Sequence, residues 1–180
     1  LGGAPERLDV PARLRSTDIV YVLQDNLLID GGVGGYLRTG GVDTARTSGR
    51  LSIDPGVVVK LQGARIELER GNAQMIAEGT AGQAVIFTSL GDNRFGAGGT
   101  FDTNGNLPDV RNAGDWGGIV VNANAKASID HAYLGYGGGQ TPIEGTFANF
   151  NVIEVQLGDL RLAHSRIENN ADGASAGTRN

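Results

Sequence analysis

The chain has 180 residues, 30 of them glycine, and a formal net charge of −5. The glycines follow no three-residue period, which excludes collagen, and an acidic chain without a basic cluster argues against nucleic acid as a partner. Cysteine is absent, which excludes disulfide scaffolds and thiolate metal sites, and no apolar run has the length of a membrane span.

The first 45 residues contain two predicted strands, Ile19–Leu23 and Leu27–Ile29, followed by glycine turns at residues 31–32 and 34–35. We expect residues 1–45 to form an N-terminal coil or cap on the domain of residues 46–180. The sequence has neither an initiating Met nor a signal peptide, so we expect a processed chain or a segment of a longer one.

The remaining residues show short β-rich runs separated by glycine, Asn and Asp, and no window keeps the apolar period of a helix. The predicted strands are Leu51–Ile53, Val57–Leu61, Arg65–Leu68, Val85–Thr88, Ile119–Val121, Ser128–Leu134, Val152–Val155 and Leu160–Ile167. This pattern favours an all-β protein rich in turns.

Two stretches, residues 119–134 and 152–167, align without a gap at a spacing of 33 residues. The alignment places Ile119 on Val152, Ile129 on Leu162 and Leu134 on Ile167. Further back, Val85 precedes Ile119 by 34 residues and Val57 precedes Val85 by 28, which indicates successive coils.

Such a repeat predicts a right-handed parallel β-helix of about four to five coils, with two inserted loops. The hairpins of a β-sandwich would not give a 33-residue repeat, and a propeller blade needs four strands and its own signature.

Four short motifs follow one another along the chain. They are Leu51–Lys60 (LSIDPGVVVK), Ala77–Thr80 (AEGT), Val85–Ser89 (VIFTS) and Trp116–Ile119 (WGGI). Over residues 50–170 this order resembles the repeat region of large bacterial exported β-helix surface proteins. The resemblance implies an extracellular or cell-surface location and a role in a surface layer, stalk or filament.

Two inserted segments, Leu90–Asp115 and Tyr136–Asn151, each precede a repeat-equivalent strand, so we expect them on the same edge of the solenoid. Six aromatic residues lie in or beside them: Phe95, Phe101, Trp116, Tyr136, Phe147 and Phe150. One interpretation is that these side chains pin the loops to the wall of the solenoid. The other is that they form a face that recognises a glycan or another protein.

The first insertion also contains an oxygen-rich run whose candidate metal ligands are Asp102, Asn104, Asn106 and Asp109. Alternating Asp and Asn oxygens suit Ca²⁺. The Glu that completes such a loop is missing, and an Asx-rich turn without metal explains the run equally. Ca²⁺ is therefore a possible ligand, and no other cofactor is required.

His131 and His164 are the only histidines and occupy equivalent repeat positions. On neighbouring parallel strands their side chains would lie about 5 Å apart. Because Asp130 is the one obvious carboxylate companion, a structural ladder is favoured over a metal pair.

Catalytic motifs such as Gly-x-Ser-x-Gly, a P-loop or HExxH are missing from the sequence. We therefore expect a non-catalytic extracellular structural or adhesive segment; the alternative is a carbohydrate-binding or polysaccharide-processing β-helix module. The sequence of residues 169–180 is polar and glycine-rich and lacks the pattern of an amphipathic capping helix, so we expect self-association, or continuation of the same polypeptide, at the solenoid ends.

Overall fold

The computed structural model describes residues 5–32, 36–96, 103 and 108–171 of the chain. Within these residues the secondary structure consists of strands, turns and bends, and no helix is present. The all-β prediction is therefore confirmed. The strands are three to five residues long, as expected where glycine, Asn and Asp recur between short β-branched runs.

Three parallel sheets of five strands each form the body of the protein. Sheet A contains β1 (Glu6–Leu8), β4 (Leu27–Asp30), β9 (Ile66–Arg70), β12 (Ile119–Val121) and β17 (Ile153–Val155). Sheet B contains β2 (Pro11–Leu14), β7 (Arg50–Ile53), β10 (Gln74–Glu78), β13 (Lys126–Asp130) and β18 (Asp159–Ala163). Sheet C contains β3 (Val20–Leu23), β8 (Val58–Leu61), β11 (Val85–Ser89), β14 (Ala132–Gly135) and β19 (Arg166–Glu168).

The chain passes through sheets A, B and C in that order five times, and we call each set of three strands a rung. Rung 1 is β1–β3, rung 2 is β4, β7 and β8, rung 3 is β9–β11, rung 4 is β12–β14, and rung 5 is β17–β19. Rung 1, which lies within residues 1–45, pairs in parallel with rung 2 in all three sheets. This cyclic order is consistent with a β-solenoid.

The core is built from side chains of all three sheets, and in strands such as β9 it takes alternate residues. In β9, Ile66 and Leu68 are fully buried while Glu67 and Glu69 are only partly buried, because successive side chains point to opposite faces. Parallel pairing then stacks the inward residues of successive rungs into columns. One such column runs through Ile53, Ala77 and Ile129.

The gapless 33-residue alignment is correct in sheets B and C but wrong in sheet A. Ile129 pairs with Leu162 and Leu134 with Ile167, as predicted. Ile119, however, pairs with Ile153 rather than Val152. The physical reason is the turn after the strand, which spans residues 122–125 in rung 4 but only 156–158 in rung 5.

Of the two repeat steps predicted before residue 119, one is confirmed and one is wrong. Ile86 pairs with Val58, so the 28-residue step from Val57 to Val85 is confirmed. The 34-residue step from Val85 to Ile119 is wrong, because β11 belongs to sheet C and β12 to sheet A. Both runs are short and β-branched, and their sequences alone do not distinguish one sheet from another.

Two predicted strands are each divided by a histidine. His131 separates β13 from β14 with φ of 44°, and His164 follows β18 with φ of 45°. A left-handed residue turns the chain from sheet B to sheet C, which ends the ladder at that point.

Both predicted insertions connect sheet C to sheet A, in successive rungs. Residues 90–118 join β11 to β12, and a hairpin of β15 (Gln140–Ile143) and β16 (Thr146–Asn149) lies between β14 and β17. A second hairpin, β5 (Leu37–Thr39) and β6 (Val42–Thr44), was not predicted. Its two-residue turn uses the positive φ angles of Gly40 and Gly41.

Candidate functional site

Three of the six aromatic residues at the insertions are buried. Trp116 is fully buried in the main hydrophobic cluster, and its indole N–H donates to the Gly135 carbonyl at 2.8 Å. Tyr136 and Phe150 are also buried, and the Arg65 guanidinium lies 4.8 Å from the centre of the Phe150 ring. These three side chains pack the insertions onto the sheets, in line with the interpretation that the aromatic residues pin the loops to the wall.

The other three aromatic residues do not form one surface either. Phe147, on the hairpin strand β16, is 57% exposed. Phe95 is partly buried, with the Arg94 guanidinium 5.5 Å from its ring centre. Phe101 lies outside the described residues. Among the five aromatic residues of this set that the structure describes, Phe147 is therefore the one with an open apolar surface.

A buried carboxylate, Asp92, anchors the first insertion to sheet C. It accepts hydrogen bonds from the Thr88 hydroxyl at 2.6 Å and from the side chains of Arg94 and Arg111 at 2.8–2.9 Å. Arg94 also donates to the Tyr133 hydroxyl at 2.9 Å. Burial favours the protonated carboxyl, but the donated hydrogen bonds outweigh it and hold the pKa of Asp92 well below its ordinary value.

Three of the four predicted calcium ligands, Asp102, Asn104 and Asn106, lie outside the described residues. Asp109 is described, and its carboxylate lies 2.9 Å from Arg111. Asp115, near the end of the same insertion, accepts hydrogen bonds from the Ser89 hydroxyl and the Asn112 amide. Calcium binding by this loop remains a prediction.

Asp130, His131 and His164 form a compact cluster where sheet B turns into sheet C, and we call it the corner triad. The two imidazole rings are stacked, with centroids 4.6 Å apart and an interplanar angle of 21°. Their Nδ1 atoms lie 2.8 Å and 2.9 Å from the same oxygen, Oδ1 of Asp130. Within the described part of the chain, these three side chains are close enough to one another to share a metal ion.

The backbone explains why the two rings meet. β13 and β18 pair in parallel, with Asp130 opposite Ala163, so the next residue in each strand is a histidine at the same corner. Both histidines adopt nearly the same left-handed φ. The His131 amide also donates to the Ala163 carbonyl at 3.2 Å. One geometry is therefore repeated in rungs 4 and 5, and the side chains stack as a result.

The second oxygen of Asp130 has a different partner. Arg161 Nη2 lies 2.5 Å from Oδ2, and its Nη1 lies 3.5 Å from Glu78. Hydrogen bonds from Arg161 and then from His164 hold the pKa of Asp130 well below its ordinary value. Sequence reasoning named Asp130 as the companion of the histidines, but Arg161 was missed because it is 31 residues away.

A groove of about 900 Å³ lies between the β15–β16 hairpin and the outer face of sheet A, and we call it the hairpin groove. Its lining includes Arg7, Asn26, Arg65, Glu67, Glu69 and Phe147. The hairpin is attached at the Pro142 carbonyl, which accepts hydrogen bonds from Asn26 at 2.7 Å and Arg65 at 2.6 Å.

The two carboxylates that β9 contributes to the hairpin groove are paired with cations. Glu67 lies 2.7 Å from Arg65, and Glu69 lies 2.5 Å from Arg7. The sequence does not indicate the groove, because nothing local to β9 shows that a hairpin more than 70 residues later covers it.

Comparisons with protein-family models, with curated proteins and with solved structures give no match to this chain. In the residues that the structure describes, no helix has the length and apolar character needed to cross a bilayer.

Proposed function

We propose that this chain is a segment of a right-handed parallel β-helix that serves a non-catalytic structural or adhesive role at the bacterial cell surface. The cyclic passage through three parallel sheets supports the solenoid. The ordered motifs that resemble exported β-helix proteins support the location and the role. The pairing of Glu67 and Glu69 with arginines favours a non-catalytic surface, since neither carboxylate stands ready as an acid or base.

The observation that carries the proposal is the exposure of apolar core positions in the last rung. Leu162 and Ile167 occupy the same inward columns as Ile129 and Leu134. Ile129 and Leu134 are 0% exposed, whereas Leu162 and Ile167 are each 42% exposed. A solenoid rung buries its apolar face only when another rung covers it. Rung 5 therefore presents a surface shaped for a further rung.

Rung 1 presents the complementary end. Leu14 and Tyr21 lie at the opposite ends of the columns that finish at Leu162 and Ile167, and both are partly buried. We propose that rung 1 of a second copy stacks on rung 5, which would continue both columns. This head-to-tail contact uses two different surfaces and adds each copy along the solenoid axis, so it repeats without closing and builds a filament.

Sedimentation equilibrium across a range of concentrations, with electron microscopy of the concentrated sample, tests this assembly. We expect the chain to form linear particles, and we expect the double variant Leu162→Lys/Ile167→Lys to remain monomeric, because two charges would be buried at the contact. Val42→Lys is the control, since Val42 is also apolar and exposed but lies on the β5–β6 hairpin. A chain that stays monomeric at every concentration overturns the assembly.

A second function, binding of a carbohydrate, is favoured by the hairpin groove. The groove combines hydrogen-bonding side chains with the exposed ring of Phe147, and glycan sites use the same combination of polar groups and a flat apolar surface. Screening of the intact chain against an array of neutral glycans tests this. We expect Phe147→Ala to abolish any signal and Tyr36→Ala, at an exposed aromatic residue away from the groove, to keep it. A signal unchanged in Phe147→Ala contradicts the assignment.

A further inference from the structure

The corner triad offers three donor atoms in an arrangement that suits a transition metal. Its two imidazole nitrogens and one carboxylate oxygen all lie within 4.8 Å of one another. Two ligands bound to one tetrahedral Zn²⁺ at about 2.1 Å lie about 3.4 Å apart. The separations of 2.8 Å and 2.9 Å between the Nδ1 atoms and Oδ1 of Asp130 therefore need to increase by only about 0.5 Å to admit an ion.

The chemistry of the donors also selects the class of ion. Imidazole favours Zn²⁺, Cu²⁺ and Ni²⁺ over Ca²⁺ and Mg²⁺, and a carboxylate completes a three-ligand site that leaves positions for water. The side chain of His131 is 30% exposed and that of His164 is 66% exposed, so an ion and its water ligands have direct access.

The backbone holds these donors in place. Both histidines occupy the left-handed region, which is uncommon for residues other than glycine and costs conformational energy. The same left-handed conformation occurs at one corner in two successive rungs. Both Nδ1 atoms consequently face the same oxygen, Oδ1 of Asp130.

Arg161 would act as an outer partner of the site. It contacts Oδ2 of Asp130, whereas the two histidines face Oδ1. The oxygen nearest the imidazoles therefore remains available, and the arginine orients the carboxylate as hydrogen-bonded groups around metal ligands commonly do.

We propose that Asp130, His131 and His164 bind one divalent transition-metal ion of the zinc–copper class, and that the ion links rung 5 to rung 4. Asp130 and His131 belong to rung 4 and its corner, and His164 belongs to the corner of rung 5. On binding, each ring is neutral, offers the lone pair of Nδ1 to the ion and carries its single proton on Nε2; a ring that starts with its proton on Nδ1 releases that proton to solvent and takes one up from solvent at Nε2.

Titration of the untagged chain with Zn²⁺ by calorimetry, and with Cu²⁺ by electron paramagnetic resonance, tests the site. We expect one ion per chain and nitrogen hyperfine coupling from two imidazoles, which only His131 and His164 can supply in a chain with two histidines. We also expect Zn²⁺ to slow amide exchange in β18 and β19. A wild-type chain that binds neither ion, or that shows no imidazole nitrogen in the spectrum, overturns the proposal.

Two ligand variants are chosen to keep the fold. His164→Phe retains a ring for stacking, and His131→Asn introduces a residue that tolerates the left-handed region. We expect each to weaken Zn²⁺ binding by at least about 100-fold, more than an outer partner contributes, and each to leave one imidazole in the Cu²⁺ spectrum. Arg161→Gln is the control, because it removes the outer partner of Asp130 but no ligand; we expect a loss of affinity of at most about 100-fold and two imidazoles in the Cu²⁺ spectrum. Unchanged affinity in both histidine variants contradicts the site.

Discussion

Rungs 4 and 5 share the same columns and nearly the same strand pattern, but their side chains lie in different environments. Ile129 and Leu134 in rung 4 are completely buried, and their partners Leu162 and Ile167 in rung 5 are not. The side chains are of similar size and equally apolar. The difference shows that burial in this fold depends on having a rung on both sides, rather than on the residue itself.

The largest expected effect comes from truncating the same column in both rungs. Ile129→Ala should lower the free energy of unfolding by about 2–5 kcal/mol, because it leaves a cavity between two rungs. Leu162→Ala should cost less than about 1 kcal/mol in the dilute monomer, since its side chain is already partly in water. Urea unfolding followed by circular dichroism measures both. Equal losses of unfolding free energy in the two variants would contradict the difference in burial between rungs 4 and 5.

A smaller effect is expected at the carboxylate that anchors the first insertion. Asp92→Asn should lower the free energy of unfolding by about 2–3 kcal/mol, because charged hydrogen bonds from Arg94 and Arg111 are lost in a buried setting. Glu168→Gln is the matched control in rung 5, where the pair with Arg166 is open to solvent, and its cost should be below about 1 kcal/mol. The same urea titration compares the two variants, and a larger loss for Glu168→Gln would contradict the assignment.

The smallest effect concerns pH. The pKa of Asp92 is lowered in the folded state, so its stabilising contribution is complete above the unfolded value of about 4 and is lost as pH falls below it. We expect the free energy of unfolding to decrease from pH 5 to pH 3, and to decrease less in Asp92→Asn. Parallel pH profiles for the two proteins would show that Asp92 does not contribute.

The sequence predicted the class of the fold because its main signals are local. Short β-branched runs and glycine turns give strands, and the equivalence of His131 and His164 gives the stacked pair. The register in sheet A was not predictable, because a turn one residue shorter is invisible when both runs begin with apolar residues. The β5–β6 hairpin was likewise missed, although its turn residues Gly40 and Gly41 have the positive φ of a tight hairpin turn.

Side-chain environments created by the insertions were also beyond sequence reasoning. Lys60 ends an apolar strand run and would ordinarily reach water, yet its side chain is fully buried and donates to the Thr103 hydroxyl at 2.9 Å. Trp116 is also fully buried, and its indole N–H donates to the Gly135 carbonyl. Neither contact is visible locally, because the partners of Lys60 and Trp116 lie 43 and 19 residues away in the chain.

Hydrogen exchange of the backbone amides, measured in dilute and in concentrated samples, tests the stacking of end rungs most directly. We predict that the amides of β17–β19 and β1–β3 exchange faster than those of rung 4 in the dilute sample and become protected on concentration, while the β5–β6 hairpin does not change. Equal protection of rungs 4 and 5 in the dilute chain, or no change on concentration, would contradict a solenoid whose ends accept a further rung.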